Sequence, residues 1–378
     1  SIGGSWILNK SLAMPSWISF SKMRAVWSKV GNDIPLYITN PVAHVSAGGE
    51  IESVDAAPFD DMKPEMTTSL EFGTEWQFFD NRLSLSATYY KTNTRNQFFK
   101  LPAQTGDKYA YRYVNAGDIQ NTGLELNLII HPITEKDLSW RTEFNFARNK
   151  NKILKLHDEL PVFLYGPQGF SSSYAMKLRE GGSFGDIYGK AFERDENGPI
   201  LYETEGERAG LPKVVGEGNL IKVGNTNPRF TLGWGNQFTY KQISLSFLID
   251  SRWGGDILSQ TLADMDLYGV TKATAQARDR GYVLLEGRQI ENVEGFYRNI
   301  VGGRAGVTEY YMYDATNIRL RELAVSYLLP QKWVDASRVF RSVQVSFIGR
   351  NLFFIYKKAP FDPELVLSTG NDNQGIEV

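Results

Sequence analysis

The sequence predicts an all-β chain: an antiparallel up-and-down transmembrane β-barrel segment with long extracellular loops. Three observations carry this expectation. About ten segments alternate apolar and polar residues. The connections between them alternate short and long. Phe, Tyr and Trp number 22, 19 and 8, or 13% of residues, and fall at the ends of those segments and in the long connections.

Successive side chains on a strand point to opposite faces, so strict alternation marks a strand with two different surroundings. Leu70, Phe72, Trp76 and Phe78 oppose Ser69, Glu71, Glu75 and Gln77. Leu83, Leu85, Ala87 and Tyr89 oppose Ser84, Ser86 and Thr88. Leu124, Leu126, Leu128 and Ile130 oppose Glu125 and Asn127. Phe230, Leu232, Trp234, Phe238 and Tyr240 oppose Thr231, Gly233, Gly235, Gln237 and Thr239. Ile243, Leu245, Phe247 and Ile249 oppose Gln242, Ser244 and Ser246, and Val343, Val345 and Phe347 oppose Ser342, Gln344 and Ser346. Residues 318–327 change phase between Leu320 and Leu323, which requires either a β-bulge or a different strand boundary. Helical patterning is confined to about residues 270–279, with a short turn after Pro330.

Short connections fall at residues 11–15, 80–81, 131–137, 241–242 and 330–341. Long ones fall at 31–67, 100–109, 151–227, 254–313 and from 357 onward. In an up-and-down sheet alternate connections share an edge, so all the short turns lie on one side and all the long loops on the other. Alternation alone suits a soluble β-sandwich equally well. The one-sided loop pattern belongs to outer-membrane barrels, and loops this long are unusual in compact domains. Trp76, Phe78, Tyr89, Tyr90, Trp140, Tyr240 and Trp253 then fit aromatic belts at the membrane interfaces. No apolar run reaches the ~18 residues of a membrane helix, and residues 1–10 lack the basic and apolar regions of a signal peptide.

Composition removes several function classes. Lys+Arg is 41 against Asp+Glu 43, so the net charge of −2 argues against nucleic acid as a partner. There is no cysteine, which excludes disulfides, Cys-ligated metals and thiol nucleophiles. The three histidines are His44, His131 and His157. Gly181-Gly182-Ser183-Phe184-Gly185 matches a nucleophile elbow, but all three histidines precede Ser183 and no strand-to-helix context surrounds it, so it reads as a loop turn. Asp195-Glu196-Asn197-Gly198 resembles the start of a calcium loop without its later carboxylate and reads as a turn. Asp60-Asp61 reads as a solvated charge cluster. No catalytic residue, metal or cofactor is therefore expected. Aromatic rings stack on sugars or pack on peptide side chains. The candidate contact residues are accordingly Tyr165, Phe170, Phe184, Tyr188, Trp253, Tyr268, Phe296, Tyr310 and Tyr311, with folding of the loops onto one another as the plainer role for each.

Five stretches carry a family resemblance: Lys63-Pro64-Glu65 with the hairpin of residues 67–99; Asn115 to Leu126, with Asn115, Gly117, Asn121, Gly123 and Glu125 spaced as N-x-G-x-x-x-N-x-G-x-E; Ile221 to Phe230 with Trp253-Gly254-Gly255-Asp256; Asp314 to Leu323 with Leu329-Pro330; and Gly349-Arg350-Asn351-Leu352-Phe353 with Asp362-Pro363-Glu364. In this order they resemble the SusC/RagA-like TonB-dependent outer-membrane transporters of Bacteroidetes. The resemblance spans residues 1–378 as the C-terminal portion of one barrel domain, about ten of roughly 22 strands. The plug, the TonB-engaging segment and the first strands would lie outside it. The sequence departs from the family's usual closing aromatic strand, ending Gly375-Ile376-Glu377-Val378. It also lacks an acidic stretch at residues 210–218, so no metal loop is implied there. The resemblance implies import of oligosaccharides or peptides, a SusD-like surface lipoprotein as lid, energy from the TonB complex, and a location in the outer membrane. The competing expectation is a soluble all-β glycan-binding or glycan-cleaving protein.

Overall fold

The computed structural model describes residues 1–32, 45–50, 57–59, 62–102, 108–109, 111–156, 162–165, 174–216, 218–336, 338–366 and 375–377. Ten strands form one antiparallel sheet in chain order: β1 (Ile2–Ile7), β2 (Ile18–Asn32), β3 (Glu65–Phe78), β4 (Leu83–Pro102), β5 (Tyr111–Thr134), β6 (Leu138–Lys155), β7 (Phe230–Tyr240), β8 (Ile243–Trp253), β9 (Asn317–Leu328) and β10 (Gln344–Lys357). Each pairs only with its sequence neighbours, so the sheet is up-and-down and its ends at β1 and β10 do not meet. Every short turn lies on one edge and every long connection on the other. Several strands run past the length needed to cross a bilayer, so the wall continues into solvent on the long-loop side.

The register shows two surfaces. Trp76, Leu85, Leu128, Phe144, Trp234, Ile249 and Leu320 stand side by side across β3 to β9. One residue away on each strand, facing the other way, stand Glu75, Ser86, Asn127, Asn145, Gly233, Asp250 and Arg319. The first row belongs to an apolar band that meets lipid, and the second to a wall that meets water. Tyr90 departs from the expected aromatic belt. Its neighbour Tyr89 faces lipid, so Tyr90 must face the lumen, where its hydroxyl donates to Asn149 Oδ1 at 3.3 Å.

Hydrocarbon satisfies no N–H, so indoles in the band find partners within it. Trp76 Nε1 donates to Thr74 Oγ1 at 2.6 Å, Trp234 Nε1 to Thr142 Oγ1 at 3.0 Å, and Trp140 Nε1 to Asn236 Oδ1 at 3.1 Å. Thr142 and Asn236 are buried beneath stacked rings, Trp140 on Phe238 and Phe144 on Trp234.

The phase change in β9 is a bulge. Leu248 pairs with Glu322 and Ile249 with Leu320, leaving Arg321 as the extra residue. The expected helix forms at Lys272–Arg280, capped by the Thr271 side chain, and the expected turn forms at Gln331–Ala336. The helix Gln260–Leu267 was not legible in the pattern. Residues 195–198 form a turn in which Asn197 N donates to Asp195 Oδ1 and Gly198 holds φ 100°.

Two outcomes test this architecture. Leu128→Arg, at mid-band, should cost the intact barrel about 2–4 kcal/mol in a urea titration from bilayers, whereas Asn127→Arg, one residue away on the water face, should cost under about 1 kcal/mol. The chain has no cysteine, so single replacements report topology cleanly: Glu196→Cys should react with an impermeant maleimide on intact cells, and Asn81→Cys should not.

Candidate functional site

The water-facing wall is the first component of the site. Lys22 pairs with Glu75 at 3.3 Å, Arg24 donates to Thr88 Oγ1 at 3.0 Å, and Asn127 Nδ2 bridges Glu143 (2.8 Å) and Asn145 (2.6 Å). Two glycines let long side chains lie flat along it. A Cβ at Gly73 would collide with Arg24, and one at Gly123 with the Tyr90 ring. A concave cavity of about 590 Å³ opens on this wall, lined by Ser86, Thr88, Glu125, Asn127, Asn145, Thr231, Gly233, Asp250, Arg252 and Glu364 among others. Hydroxyls, amides and carboxylates dominate its polar surface, which suits a ligand rich in hydrogen-bonding groups.

An ion-pair cluster closes one side. The bulge aims Arg321 at Asp250 (2.8 Å) and at Glu364 (2.5 Å). Arg319 reaches Glu364 (2.9 Å) and Asp362 (3.3 Å). The segment following β10 is thereby folded back onto β9.

The long loops make the second component. Within residues 174–223, 258–313 and 376 the described parts pack into a canopy with its own core, including Met176, Ile187, Leu211, Leu258, Phe296, Val301, Tyr311 and Ile376. The chain's end joins it: Ile376–Glu377 adds a parallel strand to Asp256–Ser259, and Glu377 accepts from Ser259 Oγ (2.5 Å) and Thr261 Oγ1 (2.8 Å). The aromatic candidates divide by position. Phe296, Tyr311 and Tyr188 are buried in the canopy, and Tyr310 packs edge-on against Phe296 at 5.4 Å. Phe184 stacks on Phe99 at 6.4 Å in a second core under the loops. Trp253 lies at the outer end of the lipid band, stacked on Phe230 at 5.8 Å, its indole N–H on Ser251 Oγ. Tyr268 is 78% exposed beside a cleft of about 420 Å³. Tyr165 ends the short strand Val162–Tyr165. Phe170, like Asp60, Asp61, His44 and His157, lies outside the described residues.

Motif residues join loop to wall and loop to loop, roles that spacing alone did not reveal. Asn115 on β5 accepts from Lys63 N and donates to Lys63 O, both at 2.7 Å. Asn225 N donates to Asp256 Oδ2 at 2.8 Å, and Asn225 Nδ2 donates to Ser183 Oγ at 2.6 Å. Buried Asp186 accepts from Ser183 N at 3.0 Å and pairs with Lys222 at 2.6 Å. Ser183 thus sits among Asp186, Asn225 and Asn227. The described histidine, His131, is at the short-turn edge, with its N–H on Arg82 O. The glycine-rich stretch is a turn, as its sequence suggested.

Within the canopy, Asp266 is buried and accepts from Tyr311 OH (3.0 Å) and Thr271 Oγ1 (2.5 Å). Burial raises its pKa, partly offset by those two hydrogen bonds. Burial, then the Asp266 charge, raises that of Tyr311. Burial also pushes Tyr313 up to about 12.

An up-and-down sheet with a lipid band, a polar wall and one-sided loops defines an outer-membrane β-barrel. Residues 31–286 match the family model "TonB dependent receptor-like, beta-barrel". The chain belongs to that family, and its place is the outer membrane. It is 27% identical to TonB-dependent receptor P3 of Formosa agariphila, over 97% of this chain and 37% of that protein. It is 22% identical to TonB-dependent receptor SusC of Bacteroides thetaiotaomicron, over 92% of this chain and 35% of that protein. The RagAB peptide transporter shares the fold at TM-score 0.71 and 17% identity, over 99% of this chain and 40% of that chain. The chain therefore spans well under half the length of these relatives.

The raised pKa of Asp266 predicts a pH effect. Its protonated form favours the folded canopy, a contribution fully present below about pH 3.9 and lost as pH rises through the higher folded value. Canopy protection against protease should decline across that window. Asp266→Asn should flatten the decline and leave barrel heat-modifiability unchanged.

Proposed function

We propose that the chain is the C-terminal barrel portion of a SusC/RagA-type importer that takes up oligosaccharides, with a SusD-like lipoprotein as lid and the TonB complex as energy source. The observation that carries this reading is the polar row on β3 to β9 directly behind the apolar row. It is a water-filled passage wall that includes a cavity of about 590 Å³. Neutral amides and hydroxyls such as Asn127, Asn145, Ser86 and Thr88 suit sugar hydroxyls. A peptide is the second reading, favoured by the likeness to the RagAB peptide transporter. The canopy offers the lid a preformed platform. Of the aromatic set, exposed Tyr268 is the residue proposed to meet the lid or the incoming ligand. Phe184, Tyr188, Phe296, Tyr310 and Tyr311 shape the platform that carries it.

The test is uptake of labelled oligosaccharides and peptides by cells with the intact protein. Uptake should vanish without TonB. Gly233→Trp, which fills the cavity where an added Cβ meets only Asn145 at 3.7 Å, should lower it several-fold with the barrel still folded. Undiminished uptake in a folded Gly233→Trp protein would sink the assignment of this wall to the passage.

A further inference from the structure

The outward face of β4 to β6 changes character abruptly. Tyr89, Leu124 and Arg148 form one cross-strand row at the top of the lipid band. The next row is Lys91, Thr122 and Lys150, and the one beyond is Asn93, Gln120 and Lys152. Two residues of strand span about 7 Å, so these cations sit at headgroup depth. Among the described residues, Lys91, Arg148, Lys150 and Lys152 make no ion pair. The acid in the next row, Asp118, is held by Arg95 at 3.0 Å.

A cavity adjoins them. β5 and β6 stay paired up to Asp118 and Lys155, but β6 and β7 part after Ala147 and Thr231. The gap beside β6 encloses about 800 Å³, lined by Arg148, Lys150, Lys152 and Arg229 and by the amides Asn225 and Asn227, among others. At its membrane end lie Phe146 and Phe230, rings 5.6 Å apart. The acid in its lining, Asp186, is paired with Lys222 at 2.6 Å.

We propose that this cavity and the cations beside it bind the phosphate-bearing headgroup of a glycolipid in the outer leaflet. The apolar floor is continuous with the lipid band and the walls are cationic and amide-rich, so the site is amphipathic in the sense a phosphorylated glycolipid is. Lys91 and Lys150 lie two strand spacings apart, about 10 Å, which allows more than one phosphate to be engaged. A soluble anion uses the cations but leaves the aromatic floor unmatched. Clustered Lys and Arg at a membrane boundary attract anionic headgroups additively.

The experiment is native mass spectrometry of the intact protein released from phosphatidylcholine nanodiscs doped with lipid A or with dephosphorylated lipid A. Wild type should retain lipid A and not the dephosphorylated form. Retention should be on the order of tenfold weaker in Lys150→Gln/Lys152→Gln and unchanged in Lys150→Arg/Lys152→Arg. Lys91→Gln, on a neighbouring strand, gives a smaller loss and a second arm if the double variant misfolds. Glucose 1-phosphate tests the soluble source. Equal retention of both lipids, undiminished retention in the folded glutamine variants, or glucose 1-phosphate binding as tightly as lipid A would each overturn the proposal.

Discussion

Hydrocarbon supplies no hydrogen-bond partner, and this constraint organises the molecule. Every backbone group at membrane depth must be paired within the protein, which a laterally hydrogen-bonded sheet achieves. Once the sheet stands between lipid and water, period-two geometry gives each strand one face for each. The same constraint extends to side chains. Trp76, Trp140 and Trp234 keep their indole N–H groups bonded inside the band, and Asn236 and Thr142 survive on the lipid face because rings cover them.

The water face works under a different balance. Its ion pairs are partly exposed: Lys22 and Glu75 retain 29% and 43% of their side-chain surface. Pairs so solvated contribute little stability. The lipid band holds the sheet, and the wall's charges and amides are left free for roles other than stability. The Arg319–Arg321–Glu364 cluster is more enclosed. Alternation already sets Arg319 and Arg321 on one face, and the bulge at Arg321 shifts the residues beyond it, so that Leu323 pairs with Phe247 on the lipid face.

Beyond the band the constraint lapses, and the long loops fold as a water-soluble protein does, around buried Phe296, Tyr311 and Ile376. Canopy and wall are two folding problems joined by a few amide clamps. Asn115 on β5 holds the segment before β3, Asn151 on β6 accepts from Phe184 N, and Asn225 ties the Ser183 turn to Asp256 within the canopy. Short polar residues suit this work, since an amide both donates and accepts and can satisfy two stretches of irregular backbone at once. The motif stretches that contain Asn115 and Asn225 thus have a structural role.

The sequence by itself determined the sheet. Alternation at Leu83 to Tyr89 or Phe230 to Tyr240 located strands, the phase change before Leu323 left a bulge or a shifted strand boundary, and the order of short and long connections placed the loops on one edge. These are legible because strand geometry and the two solvents act locally, residue by residue. The aromatic loop residues were not legible in this way. Phe296 and Tyr268 look alike in sequence, yet one is wholly buried and the other is 78% exposed. Tyr89 and Tyr90 are adjacent and face opposite solvents. The cavity beside β6 exists because β7 begins at Phe230 while β6 runs on to Lys155. Only the tertiary structure decides such matters, because burial in the canopy and the offset between strand ends depend on contacts between segments far apart in the chain.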